Sequence, residues 1–411
     1  MSNRAPLTAL LAANVISTAG NRITLLAIPW FVLQTTGSVG QTGLVGFFAL
    51  LPFVISSALG GVIVDRLGYR RASIVADLAS GISVLSVPLL YHTVGLPLAA
   101  LLALVFAGAL LDAPGQTARE AILPDLLERA EMTLERGTSL FDGAHRAASM
   151  LGAPLAGILI AAFGPANVLI VDAATFAVSA LLMRVFVPAP EAPESEQPPG
   201  RYLAELREGF SYLWHTPLVR AIVGMVVVTN MLDAAMGGVL MPVYADRVLG
   251  SIVALGLMGG VMGAGAVAGT LLFAWLGHRL PRVPTLVAGF TAGGPTRFFM
   301  LAAIPGIGPI LVLYAVAGLA IGPINPIMGT IQYERVPPQL RARVFGAISA
   351  GVMAAAPLGA LLGAAGITLI GLRSTLIVFG AVYLACTLSP LVVPAWRDAS
   401  RPAELVPEPA K

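Results

Sequence analysis

The chain contains one lysine, Lys411, and one cysteine, Cys386. A Walker A loop needs a lysine inside a glycine-rich turn to hold phosphates, so ATP hydrolysis of that kind is excluded. A single cysteine forms no intrachain disulfide and builds no cysteine-ligated zinc or iron–sulfur centre. The four histidines, His92, His145, His215 and His278, are scattered, and neither H-E-x-x-H nor G-x-S-x-G occurs. No nucleophile–base or metal set stands at usable spacing, which argues against an intramembrane enzyme. No metal, cofactor or nucleic-acid partner is expected. Charge is scarce as well. Only 11% of residues are charged, against about 25% in a soluble domain.

What replaces charge is apolar sequence. The 411 residues are 57% hydrophobic, with a mean hydropathy of +0.86. A membrane-crossing helix needs about 20 mainly apolar residues. Twelve such segments can be read, at about 7–33, 40–64, 72–91, 96–118, 138–162, 167–187, 217–244, 252–276, 284–303, 307–333, 344–369 and 374–393. The first is too long and too polar in its middle for a cleaved signal and reads as a retained span. With the N-terminus in the cytoplasm, 19 of the 24 Lys and Arg residues fall on the inner side and only Arg247 and Arg373 on the outer. Arg22, Arg146 and Arg297 fall inside spans. The asymmetry follows the positive-inside rule and places both termini in the cytoplasm, in a multi-pass protein of the cytoplasmic (inner) membrane. The net charge of +3 thus reflects topology rather than nucleic-acid binding.

The longest connection starts with Pro188, Pro190, Pro193, Pro198 and Pro199, an extended composition. Leu203, Leu206, Phe210, Leu213 and Trp214 then recur at helical spacing among Arg201, Glu205, Arg207 and Glu208, as in an amphipathic helix lying on the inner membrane surface. The expected organisation is a bundle at 1–187, a cytoplasmic linker with this helix at 188–216, a second bundle at 217–394 and a cytoplasmic tail at 395–411. The halves look like repeats at offsets of about 200–215 residues. Met150-Leu-Gly-Ala-Pro154-Leu recurs as Met353-Ala-Ala-Ala-Pro357-Leu, and Ile28-Pro29-Trp30 as Met241-Pro242-Val243. Gly60…Gly68-Tyr-Arg70 recurs as Gly269…Gly277-His-Arg279. Two parallel six-helix repeats around a central cavity are an alternating-access architecture.

Gly61-Val-Ile-Val-Asp65-Arg66-Leu-Gly68-Tyr-Arg70-Arg71 resembles the G-x-L-x-D-R-x-G-R-R signature of the major facilitator superfamily, with Tyr69 at one basic position. Ala274 stands where the second-half copy would carry its acid. Gly152-Ala153-Pro154-Leu-Ala-Gly157 is similar to the glycine–proline motif of antiporters. Within the superfamily the chain resembles Tap-like drug:proton antiporters, related to macrolide and enterobactin exporters. The stretches that carry this are Ala27–Gln34, Ser73–Gly81, Ala118-Arg119-Glu120 and Gly322-Pro323-Ile-Asn325-Pro326. The resemblance implies an all-α fold of twelve transmembrane helices in two six-helix bundles. It also implies proton-coupled efflux of amphiphilic drugs or antibiotics by a monomer, conferring resistance, with the proton gradient as energy source. Export or import of a specific metabolite or siderophore is the alternative.

An ionisable side chain within a bilayer is costly and functional by default. On the family pattern, spans 1, 4, 7 and 10 line the cavity. Polar stripes at helical spacing then nominate Asn14, Asn21 and Arg22; Asp112, Gln116 and Arg119; Asn230 and Asp233; Asn325 and Gln332. Span 5 adds Asp142, His145 and Arg146. Trp30 and Tyr333 offer aromatic surface to a drug. Asp112, Asp142, Asp233 and Glu120 are the proton-carrier candidates. An unpaired acid is the better carrier, because an arginine holds an acid ionised; an arginine-paired acid is a gate. Gly61, Asp65, Arg66, Gly68, Arg70 and Arg71 form the expected conformational latch, with Asp77 joining their charge network. Asp172 reads as a structural hydrogen bonder and Glu334 as an interfacial ion-pair member beside Arg335.

Overall fold

The structure, a computed structural model, describes residues 4–188, 201–303 and 306–396, without the side chains of 57–63, 65, 66, 201–206, 278, 338 and 342. Described residues 4–188 contain α1 (Ala5–Thr36), α2 (Val39–Leu67), α3 (Tyr69–Thr93), α4 (Leu98–Arg129), α5 (Leu134–Phe163) and α6 (Val168–Phe186). A shorter helix, α7 (Arg201–His215), precedes α8 (Pro217–Leu249) and α9 (Ile252–Leu276). The chain continues through α10 (Arg282–Gly293), α11 (Pro295–Ala303), α12 (Ile307–Ile321), α13 (Ile324–Arg335), α14 (Arg341–Ile370) and α15 (Leu372–Thr387).

Among the described residues, eleven helices are long and apolar enough to cross a membrane. The expected ninth span is where the count departs from twelve. Pro295 cannot donate a helical hydrogen bond and its ring disfavours helical backbone before it. Gly294 accordingly turns to φ −95°, ψ −89°, and the segment becomes the two short helices α10 and α11. α8 is irregular in another way, with π-helical turns at Met236–Leu240 and Ala245–Leu249 on either side of Pro242.

The repeat expected from the motifs has a backbone counterpart. α5 ends at Gly164 (φ 80°, ψ 158°) and α14 at Gly371 (φ 81°, ψ 162°). α1 ends at Gly37 and the α8 segment at Gly250, both left-handed (φ 64° and 60°). A side chain at such angles is strained, so each half uses glycine to stop the same helix in the same way.

Two compact units emerge from the contacts. Among the described residues, the first groups 4–188 with 237–260 and 360–368. Within it α1 packs on α5 and α6, α3 on α4 and α6, and α2 on α4. One core cluster holds Leu7, Leu10, Ile122, Leu126, Phe141 and Met183. A second holds Ile28, Trp30, Phe31, Leu169 and Phe176 together with Ala245 and Ile252. Small residues set the closest approaches: a Cβ on Gly256 would lie 2.6 Å from the Ala153 carbonyl oxygen, and one on Gly43 2.4 Å from Ala364 Cβ. Backbone contact of this kind is how helices associate where lipid removes the hydrophobic drive.

The second unit groups, among the described residues, 201–236 with 261–303, 306–359 and 369–396. There α11 packs on α15 and α10 on α12. The described part of α7 is anchored by Leu213, which packs with Val219, Val344 and Ile348. The Tyr212 hydroxyl donates to the Arg335 carbonyl at 2.7 Å, and Arg343 pairs with Glu208 at 2.6 Å. The apolar face expected on this helix is therefore divided: Leu213 turns inward, while Phe210 and Trp214 are exposed. Leu203 and Leu206 lie outside the described side chains.

Candidate functional site

In the first unit, polar side chains from five helices meet within an apolar bundle. Asp77 of α3 is fully buried. It accepts from Arg119 Nη1 of α4 at 2.9 Å and from the Ser179 hydroxyl of α6 at 2.7 Å. This corrects two expectations. Asp77 sits against Arg119 and Ser179 rather than joining Arg70, and Arg119, expected on a cavity face, is 3% exposed, with Nη2 3.5 Å from Ser17 and Nε without a partner. Arg70 donates instead to the carbonyls of Met183 and Arg184 at the end of α6, at 3.3 and 2.5 Å. Beside it lies a pocket of about 490 Å³ lined by Arg70, Arg129, Phe186 and Val187. Gly68 caps α2 at φ 76° and Arg71 is exposed. The side chains of Asp65 and Arg66, and Gly61, lie outside those described.

The carrier candidates separate by environment. Asp112 of α4 is 9% exposed; Asn21 Nδ2 of α1 donates to its Oδ2 at 3.0 Å, and its Oδ1 has no partner. Asp142 and Glu120 are exposed, and Gln116 donates to Glu120 at 3.1 Å along the same helix. Asp172 of α6 accepts from the Thr24 hydroxyl, and Thr175 Oγ1 lies 3.1 Å from its Oδ1 and 2.7 Å from its main-chain carbonyl oxygen. Arg22 donates to Ser149 of α5 at 3.1 Å, passing a spot where a Cβ on Gly152 would lie 3.0 Å from its stem. Thr18 and His145 Nδ1 are 3.2 Å apart. Asn14 is buried with an unpartnered Nδ2, and Arg146 is exposed. Trp30, expected to offer aromatic surface, lies in the hydrophobic core at 7% exposure. It is flanked by Ile28 and Phe31, apolar neighbours that draw it inward.

The second unit has its own charged centre. Asp233 of α8 accepts from Arg297 Nη2 of α11 at 2.6 Å and from the Tyr383 hydroxyl of α15 at 3.3 Å. Arg297 Nη1 also reaches Met262 Sδ at 3.5 Å. Arg297 is 6% exposed, while the Asp233 side chain is 40% exposed. Asn230 turns back to its own helix, donating to the Val226 carbonyl at 3.0 Å. Glu334 pairs with Arg282 at 2.7 Å. Asn325 is exposed and Gln332 half-buried; Tyr333, also exposed, stacks edge-on with Phe345 under Arg341.

Sequence reasoning placed Arg297 inside a span without giving it a role, and missed Thr24, Thr175, Ser179 and Tyr383. The cost of a buried arginine was the available signal for Arg297. Single hydroxyls carry no such signal, because they satisfy themselves on their own helix as readily as on a neighbour.

Comparison with known proteins adds the context. The family model described as Major Facilitator Superfamily matches residues 10–250 and 223–411. The chain is 32% identical over 409 residues to a protein named multidrug efflux pump Tap from Mycolicibacterium fortuitum, covering 98% of this chain and 99% of that one. It is 32% identical over 404 residues to the protein of the same name from Mycobacterium tuberculosis (strain ATCC 25618 / H37Rv), covering 97% and 95%. An enterobactin exporter of Escherichia coli O1:K1 / APEC is 25% identical over 328 residues, covering 79% and 75%. The solved structure of the nucleoside transporter NupG shares the fold, with a TM-score of 0.77 at 13% identity over 94% of this chain and 98% of that one.

Proposed function

The chain belongs to the major facilitator superfamily and is a multi-pass membrane transporter of small substrates, and on that footing we propose that it exports amphiphilic drugs in exchange for protons. The observation that carries this reading is the 32% identity to a multidrug efflux pump over nearly the whole of both chains. The family it belongs to is the one that the Gly61–Arg71 stretch suggested. We place it in the cytoplasmic membrane with both termini inside, working as a monomer on the proton gradient.

In this reading Asp112 is a coupling acid. It is buried, and among the described residues no arginine bonds it and one of its oxygens is left without a partner. Asp233 is bonded to Arg297 at 2.6 Å and serves as a gate that opens when this ion pair between α8 and α11 parts. Asp142 and Glu120, exposed, act where protons enter or leave. Asp65, Arg66, Arg70 and Arg71 serve as the latch. Asn325, exposed, is open to a substrate, while Asn21, Arg22 and Gln116 would have to exchange their bonds to Asp112, Ser149 and Glu120 to meet one.

A susceptibility panel in a host lacking its major pumps tests the reading. Expression should raise tolerance to several chemically unrelated amphiphilic drugs, and an uncoupler should abolish the effect while ATP is held constant. A single protected compound of siderophore type would instead favour the reading drawn from the enterobactin exporter.

A further inference from the structure

Two buried carboxyls meet one short stretch of α1 from different helices. Asp172 of α6 is 0% exposed. Its side-chain partners are two hydroxyls, Thr24 on Oδ2 and Thr175 on Oδ1, the latter at 3.1 Å. Asp112 of α4 receives one hydrogen bond, from Asn21, and its Oδ1 is left without a partner. Asn21 and Thr24 stand three residues apart and are therefore neighbours on the helix surface. Immediately before them is Gly20, where a Cβ would lie 2.2 Å from Asp172 Oδ1 and 2.0 Å from Thr175 Oγ1. The missing side chain on α1 makes room for the acid on α6.

The surrounding ionisable groups make their own bonds to other partners. From α4 and α3, Arg119 and Asp77 neutralise each other; from α1, Arg22 bonds Ser149; from α5, His145 bonds Thr18. No arginine, lysine or histidine bonds Asp112 or Asp172 among the described residues. An ionised carboxylate without a cation in an apolar interior is so unfavourable that it takes up a proton instead. A purely structural role at 172 would be met by any hydrogen-bonding side chain of that size.

We propose that Asp112 and Asp172 form one two-carboxyl proton site astride Asn21 and Thr24 of α1, so that Asp172 is a coupling residue alongside Asp112. The proposal rests on the proton-driven reading above. The step is a simple one: a proton adds to a carboxylate oxygen, an O–H bond forms and the negative charge is cancelled; release reverses it. A negative charge on one carboxyl disfavours ionisation of the other. Each change of charge falls on the side chains that tie α1 to α4 and α6.

The test uses the full-length protein in proteoliposomes, with ethidium as the amphiphilic probe and an imposed pH gradient. Asp172→Asn keeps size and hydrogen bonding but not the acid. It should lower gradient-driven ethidium accumulation at least tenfold and leave downhill exchange within twofold of wild type. Wild-type accumulation that ignores the pH gradient overturns the proton-driven reading as a whole. Accumulation that needs the gradient in wild type and survives in Asp172→Asn overturns this site alone. Should Asp172→Asn not fold, Thr24→Val removes a hydroxyl partner at nearly constant volume. It should displace the pH midpoint of coupled transport by about half a unit or more, and an unmoved midpoint also overturns the site. Replacing all sodium by choline should change nothing; loss of transport would mean that the oxygens of Asp172, Thr24 and Thr175 hold a sodium ion, and the proton assignment would fall.

Discussion

Arg297 places Nη2 2.6 Å from Asp233 Oδ1, and does so from the first turn of a helix that begins only because Gly294-Pro295 breaks the segment before it. The arginine is buried and the acid is half open. Removing the acid therefore strands a cation in the bundle. Breaking a buried pair from one side costs about 3–5 kcal/mol, and the exposure of Asp233 moves this towards the lower end. Asp233→Asn should lower thermal stability in detergent and reduce both uphill and downhill transport. Adding Arg297→Met to that variant should restore much of the stability. A double variant no more stable than the single one would contradict the pairing.

The Asp77–Arg119 pair is buried on both sides, so the same logic applies with greater force. Asp77→Asn should cost about 3–5 kcal/mol, and Ser179→Ala, which deletes one neutral partner, about 1 kcal/mol. Denaturation midpoints of the purified variants check the order. If Ser179→Ala proved the more damaging change, Arg119 would not be what holds Asp77.

The helix break can be tested through its packing. A Cβ at Gly294 would lie 2.0 Å from the Tyr383 ring. Gly294→Ala should therefore destabilise the protein and pull the Tyr383 hydroxyl from Asp233. Tyr383→Leu in the same chain should relieve the clash and recover folded yield. Wild-type stability of Gly294→Ala alone would show that the ring is not fixed there.

Much of the fold could be read from sequence because hydropathy and the Lys/Arg asymmetry are summed over whole segments and tolerate local error. The glycines that end α1 and α5, Gly37 and Gly164, have counterparts in Gly250 and Gly371, which no motif had picked out. The ninth span was the exception: hydropathy averages over 284–303 and does not register one Gly-Pro step. The site was less legible. Periodicity put Asp112 and Asn21 each on a polar stripe, the family resemblance turned both stripes to the cavity, and the structure bonds the two residues. It could not tell which arginine meets which acid, since Asp77, Asp112 and Arg119 all lie on plausible polar faces and only packing pairs Asp77 with Arg119. Trp30 shows the opposite limit, for an aromatic amid apolar residues reads alike whether it faces a ligand, lipid or the core.

The central claim, that this transporter exchanges drug for protons, is tested most directly by imposing gradients on proteoliposomes with ATP absent. A proton crossing about 150 mV carries about 3.5 kcal/mol, enough for roughly a 300-fold substrate gradient. If a monocation such as ethidium leaves for each proton that enters, no net charge moves, and only the pH difference drives transport. A pH gradient without membrane potential should accumulate ethidium in these vesicles, and a potassium-diffusion potential at equal pH should not. Accumulation at equal pH, or none under the pH gradient, would contradict the account.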